Sequence, residues 1–296
     1  MPEPSSRAGD FAFRPLRKPE EFRAAEELQA EALGPGAALA VPAALLRTFQ
    51  DHGGLVLGAF ADIYLAGVVA SSLGWDGSVL YQRAHVLAVR PEYQNHRLGA
   101  RLAAFQRDEV LRLGLAEVRG GIDPLHRPSA ALAVRRLGAR PTGYQANLFG
   151  QLGAEGAGEE SDRLELRWTL AAPQVERRLG GELPSPEQDR SRLAASSAVV
   201  ETEVGEHGLR RPSAVGEPSG PSASLEIPFD VASIRDHEPS SLRRWRHAVR
   251  DGFRAALDLG YEVDDVATVT VEHERRAFYL LRPGAHEAPP AAAPSP

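Results

Sequence analysis

The chain has 296 residues, of which 43% are hydrophobic and 25% are charged, an ordinary composition for a globular protein. Its formal net charge of -6 offers no basic patch for nucleic acid, so we expect no nucleic-acid partner. The absence of cysteine excludes a thiol nucleophile, disulfides and zinc sites built on thiolates.

The sequence shows no targeting or membrane segment. Its first ten residues contain prolines and acids instead of a basic segment followed by an apolar run, so no signal peptide is predicted. The longest apolar stretches, such as 55–61 and 65–70, are far shorter than the roughly 20 residues of a membrane-spanning helix. We therefore expect a cytoplasmic protein with no membrane partner.

Residues 1–172 predict a domain in which helices alternate with strands. Strands are expected at 11–16, 55–61, 67–73, 79–89, 116–121, 144–149 and 163–170. Helices are expected from Pro19 to Gly34 and at 41–51, 97–113 and 129–137. The strand at 79–89 becomes apolar on both faces near its end, which indicates a central position. Because hairpin and crossover connections are mixed, we predict a mixed, twisted α/β sheet flanked by helices.

The rest of the chain predicts a smaller second unit. Residues 173–221 shift to Glu, Arg, Ser, Gly and Pro without sustained periodicity, which indicates a linker or an irregular insertion. At 222–282 a strand, a helix with Ser240 as N-cap and a hairpin predict an α+β unit. The tail at 283–296 is rich in Pro and Ala and is predicted to be disordered.

The segment at 87–100 carries the chemistry. A buried strand leads through a short polar loop directly into a helix, so unpaired backbone N–H groups at the helix start point to one place. Such a place suits phosphate, and Gly99 lets a ligand approach the backbone.

Within this segment, Gln94-Asn95-His96-Arg97-Leu98-Gly99 resembles the Gln/Arg-x-x-Gly-x-Gly/Ala signature of the GNAT superfamily of N-acetyltransferases. The preceding Val89-Arg90-Pro91-Glu92-Tyr93 is similar to the strand exit of that family, and the resemblance covers about residues 11–170 in element order. The sequence departs from the signature at Arg97, where the family has its first glycine. Arginine takes a positive φ only at a cost, whereas a helical φ would still present the N–H group.

Further residues resemble a longer subgroup of GNAT acyltransferases with a C-terminal extension. They are Asp123-Pro124-Leu125, Tyr144 with Asn147, Ile227-Pro228 and Arg244-Trp245-Arg246. Some members of that subgroup are associated with N-acylamino acid metabolism, which implies an amino acid or a similar small amine as acceptor.

The resemblance implies an acyl-CoA-dependent N-acyltransferase that transfers acetyl or succinyl by direct attack of the amine on the thioester. The pantetheine arm would pair with the backbone at Leu87 and Val89. The nucleotide would bind at the loop and helix start, formed by Gln94, Asn95, His96, Arg97, Leu98, Gly99, Ala100 and Arg101. Arg101 has a second interpretation as part of a solvated helix face.

Three side chains are candidates for the reaction itself. His85 is the candidate base and is expected on the same strand face as Leu87 and Val89, although a sheet-face histidine satisfied by a neighbour is an equal alternative. Tyr144 is the candidate acid because the helix at 129–137 lacks a tyrosine; its alternative is a hydrogen-bonded strand tyrosine. Asp123 is a weak candidate for substrate binding or simply a turn former. The histidine spacing predicts no metal site.

Two alternatives to an enzyme remain open. One is a catalytically silent acyl-CoA-binding regulatory module, and the other is an interaction scaffold that binds no acyl-CoA. We also expect the second unit to pack on the first and to help shape the acceptor pocket. The sequence leaves a homodimer open and does not identify the acyl chain.

Overall fold

The computed structural model describes residues 11–33, 39–94, 96–152, 159–205 and 207–284. The predictions that concern Gly34, Asn95 and the tail from 285 onward lie outside these residues. The chain divides into two compact units, Met1–Pro184 and Ser185–Pro296. None of the helices in the described ranges is both long enough and apolar enough to cross a membrane.

The first unit is built around a seven-stranded sheet. Its strands are β1 (Ala12–Pro15), β2 (Leu55–Ala61), β3 (Tyr64–Trp75), β4 (Leu80–Val89), β5 (Glu117–Ile122), β6 (Arg140–Gln145) and β9 (Arg163–Thr169). Two short strands, β7 (Gln151–Leu152) and β8 (Glu159–Glu160), pair separately. The helices are α1 (Pro19–Leu33), α2 (Ala43–Asp51), α3 (Leu98–Arg112), α4 (Arg127–Ala130) and α5 (Pro173–Leu179). A π-helical turn, Ala131–Arg136, follows α4 directly.

The strand order is β1-β2-β3-β4-β5-β9-β6. Neighbouring strands are antiparallel except for β4 and β5, which are parallel and are joined by the crossover helix α3. The predicted mixed α/β sheet is therefore confirmed, as is the central position of β4. The predicted strand at 144–149 is wrong in its limits, because β6 ends at Gln145 and residues 146–149 form a turn.

Both faces of the sheet are covered near the end of β4. Val86 and Ala88 pack with residues of α1 and α2, whereas Leu87 and Val89 pack against the core that contains Leu98 and Leu102 of α3. This two-sided burial explains why the strand lacks alternation in sequence. It also holds the last residues of β4 firmly between two helical layers.

The second unit contains a five-stranded sheet in the order β11-β10-β12-β14-β13. Its strands are β10 (Ser197–Val204), β11 (Arg210–Val215), β12 (Ala223–Ile227), β13 (Tyr261–Val271) and β14 (Glu274–Pro283), and its helices are α6 (Pro186–Ala194), α7 (Val231–His237) and α8 (Pro239–Asp258). Helix α8 packs on one sheet face, where Phe253 meets Tyr279 edge to face with 5.0 Å between ring centroids.

The predicted linker at 173–221 is wrong. This stretch forms α5, α6, β10 and β11, and the boundary between the units follows Pro184. The predicted strand, helix and hairpin at 222–282 are present, but they belong to a larger sheet that includes β10 and β11. Ser240 is not the N-cap of α8, because the helix begins at Pro239 and Glu238 occupies the cap position.

Candidate active site

The candidate site lies where β4 and β5 separate. The two strands are parallel partners at Gln82 with Val118 and at Arg83 with Arg119, and these two pairs are the only ones between the two strands, both of which are described in full. Beyond them β4 continues to Val89 and β5 to Ile122 without pairing. The sheet therefore has an opening between the ends of two central strands.

A β-bulge in β4 lies at the start of this opening. Ala84 is opposite Ser71 and Val86 is opposite Ala70, so His85 is an extra residue without a partner on β3. On β5, Gly120 allows the two strands to lie close together before they separate, because an added Cβ there would lie 3.2 Å from the Cβ of Ala84. The bulge and the glycine together mark the point where the strands diverge.

The alternation of hydrogen bonds shows which backbone groups of β4 face the opening. The Arg90 N–H donates to the carbonyl of Ala66 at 2.9 Å, and the antiparallel register continues through Ala88 with Val68. In an antiparallel pair, every second residue directs its N–H and C=O towards the partner strand. The backbone groups of Leu87 and Val89 therefore face away from β3, towards the opening.

One of the backbone groups that face the opening already has a hydrogen-bond partner. The Gln94 side-chain amide donates to the Val89 carbonyl at 2.9 Å, which leaves the Val89 N–H and both backbone groups of Leu87 for a ligand. Gln94 thus supports the strand end with its side chain. The sequence-based prediction assigned Gln94 to the ligand, and the structure gives its amide this internal partner.

Helix α3 begins at the end of the same opening. Arg97 is its N-cap residue and makes no side-chain capping bond. The first helical hydrogen bond runs from the Arg101 N–H to the Arg97 carbonyl at 3.1 Å. The N–H groups of Leu98, Gly99 and Ala100 therefore have no acceptor within the helix. These donors and the positive end of the helix dipole favour an anion.

Arg97 adopts the left-handed conformation, with φ 59° and ψ 13°. The chain therefore keeps a loop conformation that favours glycine, although the residue is arginine. The alternative of a helical φ at this position is wrong. Its side chain is exposed.

Gly99 and Arg101 have contacts inside the protein. An added Cβ at Gly99 would lie 3.3 Å from Leu87 and 3.5 Å from Leu132, so the glycine allows α3 to pack closely on β4 and on the π-helical turn. This differs from the predicted role of admitting a ligand. The guanidinium of Arg101 lies 5.1 Å from the ring centroid of Phe13, at the β1 side of the helix. Leu98 and Ala100 lie in the first turn of α3 and His96 lies in the turn before it, while Asn95 lies outside the described residues. Their role in nucleotide binding stays a prediction.

His85 lies on the opposite sheet face from the one predicted. Its ring stacks on Phe49 of α2 with 4.6 Å between centroids, and Nε2 lies 2.8 Å from the Ser72 hydroxyl oxygen. Leu87 and Val89 pack on the α3 side instead. The reason is the bulge, because an extra residue shifts the alternation of side chains by one position.

The environment of His85 favours the neutral imidazole. Desolvation and, to a smaller extent, the positive charge of Arg83 lower the pKa of His85 from its ordinary value of 6.5. A neutral ring has one nitrogen with a free lone pair. If Nε2 donates its proton to Ser72, then Nδ1 is the nitrogen that can accept one.

Tyr144 and Asp123 each have hydrogen-bond partners of their own. The Tyr144 hydroxyl donates to Asp162 at 2.5 Å, and β5 and β9 separate β6 from β4. Asp123 follows β5 directly, and its carboxylate accepts the Leu125 N–H at 2.9 Å in a turn. These contacts match the structural alternatives for both residues. Their predicted roles as acid and substrate ligand have no support from this geometry.

Sequence reasoning missed the residues around His85. Ser72 and Phe49 come from β3 and α2, and no local pattern signals either contact. The bulge has no sequence signature here, since Ala84, His85 and Val86 include no glycine or proline. In the described ranges, no cluster of three or more His, Asp or Glu side chains is arranged to hold a metal ion.

Similar solved structures include several acetyltransferases. They include the ribosomal-protein-S18-alanine N-acetyltransferase of Escherichia coli, with 18% identity, a TM-score of 0.45 and coverage of 55% of this chain and 96% of that one. A GNAT-family acetyltransferase of Streptococcus pneumoniae has 14% identity, a TM-score of 0.44 and coverage of 53% and 98%.

An aminoglycoside 6'-N-acetyltransferase complexed with coenzyme A has 14% identity, a TM-score of 0.41 and coverage of 54% and 98%. No protein-family profile and no curated protein sequence matches the chain. The similarity to these solved structures concerns the fold alone.

Proposed function

We propose that the first unit is an acyl-CoA-dependent N-acyltransferase. The observation that carries this proposal is the continuity of two donor sets: the open backbone edge of Leu87 and Val89 leads directly to the uncapped start of α3. An extended amide-containing chain that ends in a diphosphate matches both sets. The pantetheine arm and the pyrophosphate of coenzyme A have this chemistry.

The acyl acceptor is a small amine, and an amino acid is our specific proposal. The amine nitrogen attacks the thioester carbonyl, a C–N bond forms, and the C–S bond breaks with the electron pair leaving on sulfur. His85 takes the proton from the attacking amine at Nδ1, directly or through one water. The Leu87 N–H, which faces the opening, is the donor that stabilises the developing oxyanion.

The two substrates approach from different faces. The nucleotide end binds at the start of α3, whereas His85 lies on the α2 face with Phe49 and Ser72. The amine therefore reaches the thioester from the α2 face. The thiolate leaves on the opening side and takes a proton from solvent, so no step depends on Tyr144.

Acyl-CoA binding is tested with a variant that blocks the anion site without weakening α3. Ala100→Asp places a carboxylate in the first turn of α3, where it interacts favourably with the helix dipole but repels a diphosphate. We expect acetyl-CoA and succinyl-CoA to raise the Tm of the unchanged protein and not that of Ala100→Asp. Ile63→Asp adds the same charge at a position that is 82% exposed and should keep the full shift.

Turnover is measured as thiol release from the acyl-CoA that binds, with a panel of amines. Amine-dependent release supports the enzyme. Binding without release supports the silent regulatory module, and a Tm that no acyl-CoA changes contradicts the proposed site.

A further inference from the structure

Arg83 is a half-buried cation on the same sheet face as His85. It precedes the bulge on β4, lies opposite Ser72 on β3 and pairs in register with Arg119 on β5. Ser72 contacts His85, which fixes Arg83 and His85 on the α2 face. Arg83 acts electrostatically on His85.

The other charges on this face are largely engaged with one another. Arg119 bonds to Asp76 at 2.7 Å and to Glu117 at 2.8 Å, and its guanidinium lies 4.2 Å from the ring centroid of Tyr81. Arg167, on β9, lies 3.8 Å from the Glu117 carboxylate. Arg83, by contrast, makes no hydrogen bond or ion pair with any described residue. Its five N–H donors are therefore available to an anion beside the candidate base.

Arg83 is too far from the start of α3 to serve the diphosphate. Val89 is six positions further along the strand, which corresponds to about 20 Å. It also lies on the sheet face opposite to α3. An anion at Arg83 therefore belongs to the acceptor.

We infer that Arg83 binds a carboxylate of the acceptor and so makes the enzyme selective for amines that carry one. This inference rests on the proposed function. A planar guanidinium beside the base matches a carboxylate with two parallel hydrogen bonds and holds the amine of the same molecule near His85. The acceptor class is that of amino acids and amino-terminal or side-chain amines with a nearby carboxylate.

The experiment compares amino acids with their primary carboxamides as acceptors. The kcat/KM ratio of acid to amide is measured for the unchanged protein, Arg83→Gln, Arg83→Lys and Arg167→Gln. The amine of an amino acid amide is less basic than that of the acid, which by itself changes the acid-to-amide ratio of kcat/KM. The ratio is therefore compared between the variants and the unchanged protein. Arg167→Gln removes the same charge from the same face, away from His85.

We expect Arg83→Gln to lower the acid-to-amide ratio roughly 10- to 100-fold by lowering kcat/KM for the acids, as for the loss of a charge-assisted hydrogen bond. Arg83→Lys should restore part of the ratio, and Arg167→Gln should keep it. If Arg83→Gln changes acids and amides equally, Arg83 acts only on His85 or on the fold, and the inference is wrong. If the protein binds acyl-CoA but acylates amides alone or no carboxylate-bearing amine, the inference also fails while the acyl-CoA site stands.

Discussion

Nε2 of His85 lies 2.8 Å from the hydroxyl oxygen of Ser72, which joins the extra residue of the β4 bulge to the neighbouring strand. This contact, with the stacked ring of Phe49, fixes the imidazole in one orientation. A ring held in this way would present the same nitrogen to the proposed acceptor in every turnover. Variants of Ser72 and His85 therefore test the proposed acyl transfer most directly.

The pH dependence of acyl transfer should reflect the lowered pKa of His85. In the proposed reaction the neutral ring is the active form, so activity is present above the folded-state pKa of His85 and is lost as the pH falls through it. We expect the part of the acidic limb of kcat/KM that His85 sets to lie below pH 6.5, since desolvation lowers this pKa. His85→Gln should reduce kcat about 10²- to 10⁴-fold and remove that limb. An unchanged profile in His85→Gln would assign the base elsewhere.

Ser72→Ala should separate positioning from chemistry. Loss of a hydrogen bond to a group that becomes charged corresponds to roughly a tenfold decrease in kcat, with the affinity for acyl-CoA unchanged. The acidic limb should move as well, because Ser72 interacts with the titrating ring. Equal kcat and an unmoved limb would show that Ser72 does not act through His85.

Arg97→Gly should stabilise the fold by about 1 kcal/mol. The left-handed φ of 59° is strained for arginine and not for glycine, although glycine also loses more conformational freedom on folding. Arg97→Ala retains the strain and should give no such gain. Urea denaturation of the three proteins measures the difference, and equal stability of the glycine and alanine variants would contradict the strain.

Gly120→Val should weaken the contact between β4 and β5. The new Cβ would lie 3.2 Å from the Cβ of Ala84 next to the two paired positions, so we expect a loss of about 1 to 3 kcal/mol. Gly121→Val is the matched control, because its Cβ would meet Arg163 at 3.4 Å on an exposed position. A loss at Gly120 no larger than at Gly121 would argue against close packing there.

Chains that end after Ala172 and after Pro184 should differ in stability. The longer one retains Val175, which is 1% exposed in the core shared with Trp168. It also retains the 2.9 Å bond from Arg135 to the Pro184 carbonyl. Loss of one buried valine costs about 1.5 to 3 kcal/mol, so the shorter chain should unfold at a lower Tm. Equal Tm values would place α5 outside the core of the first unit.

The sequence was sufficient for the order of the longer elements from β1 to β9 because strong periodicity and turn residues mark them, whereas β7, β8 and α5 were not predicted. The predicted helix at 97–113 is α3 to within one residue at each end, and the predicted strand at 79–89 is β4. The loop between them carried the resemblance that led to the site. Local patterns of this kind are encoded by neighbouring residues.

Contacts between distant residues were not predictable in the same way. The sheet face on which His85 lies depends on a bulge that no residue type indicates. The assumption of regular alternation therefore placed His85 on the wrong face. Strands β10 and β11 escaped notice because much of each is exposed, and Glu203 and Arg211 pair across them at 2.8 Å. Half-exposed strands with charged side chains lack the apolar run on which prediction depends.

The inserted residue in β4 has a kinetic consequence. In the proposed reaction the coenzyme and the amine occupy opposite sides of one sheet, so neither has to depart before the other arrives, and we expect transfer within a ternary complex. Steady-state rates with both reactants varied should then give intersecting double-reciprocal lines instead of parallel ones. A bisubstrate analogue that spans the opening between β4 and β5 would occupy the proposed coenzyme site and the proposed amine site at once.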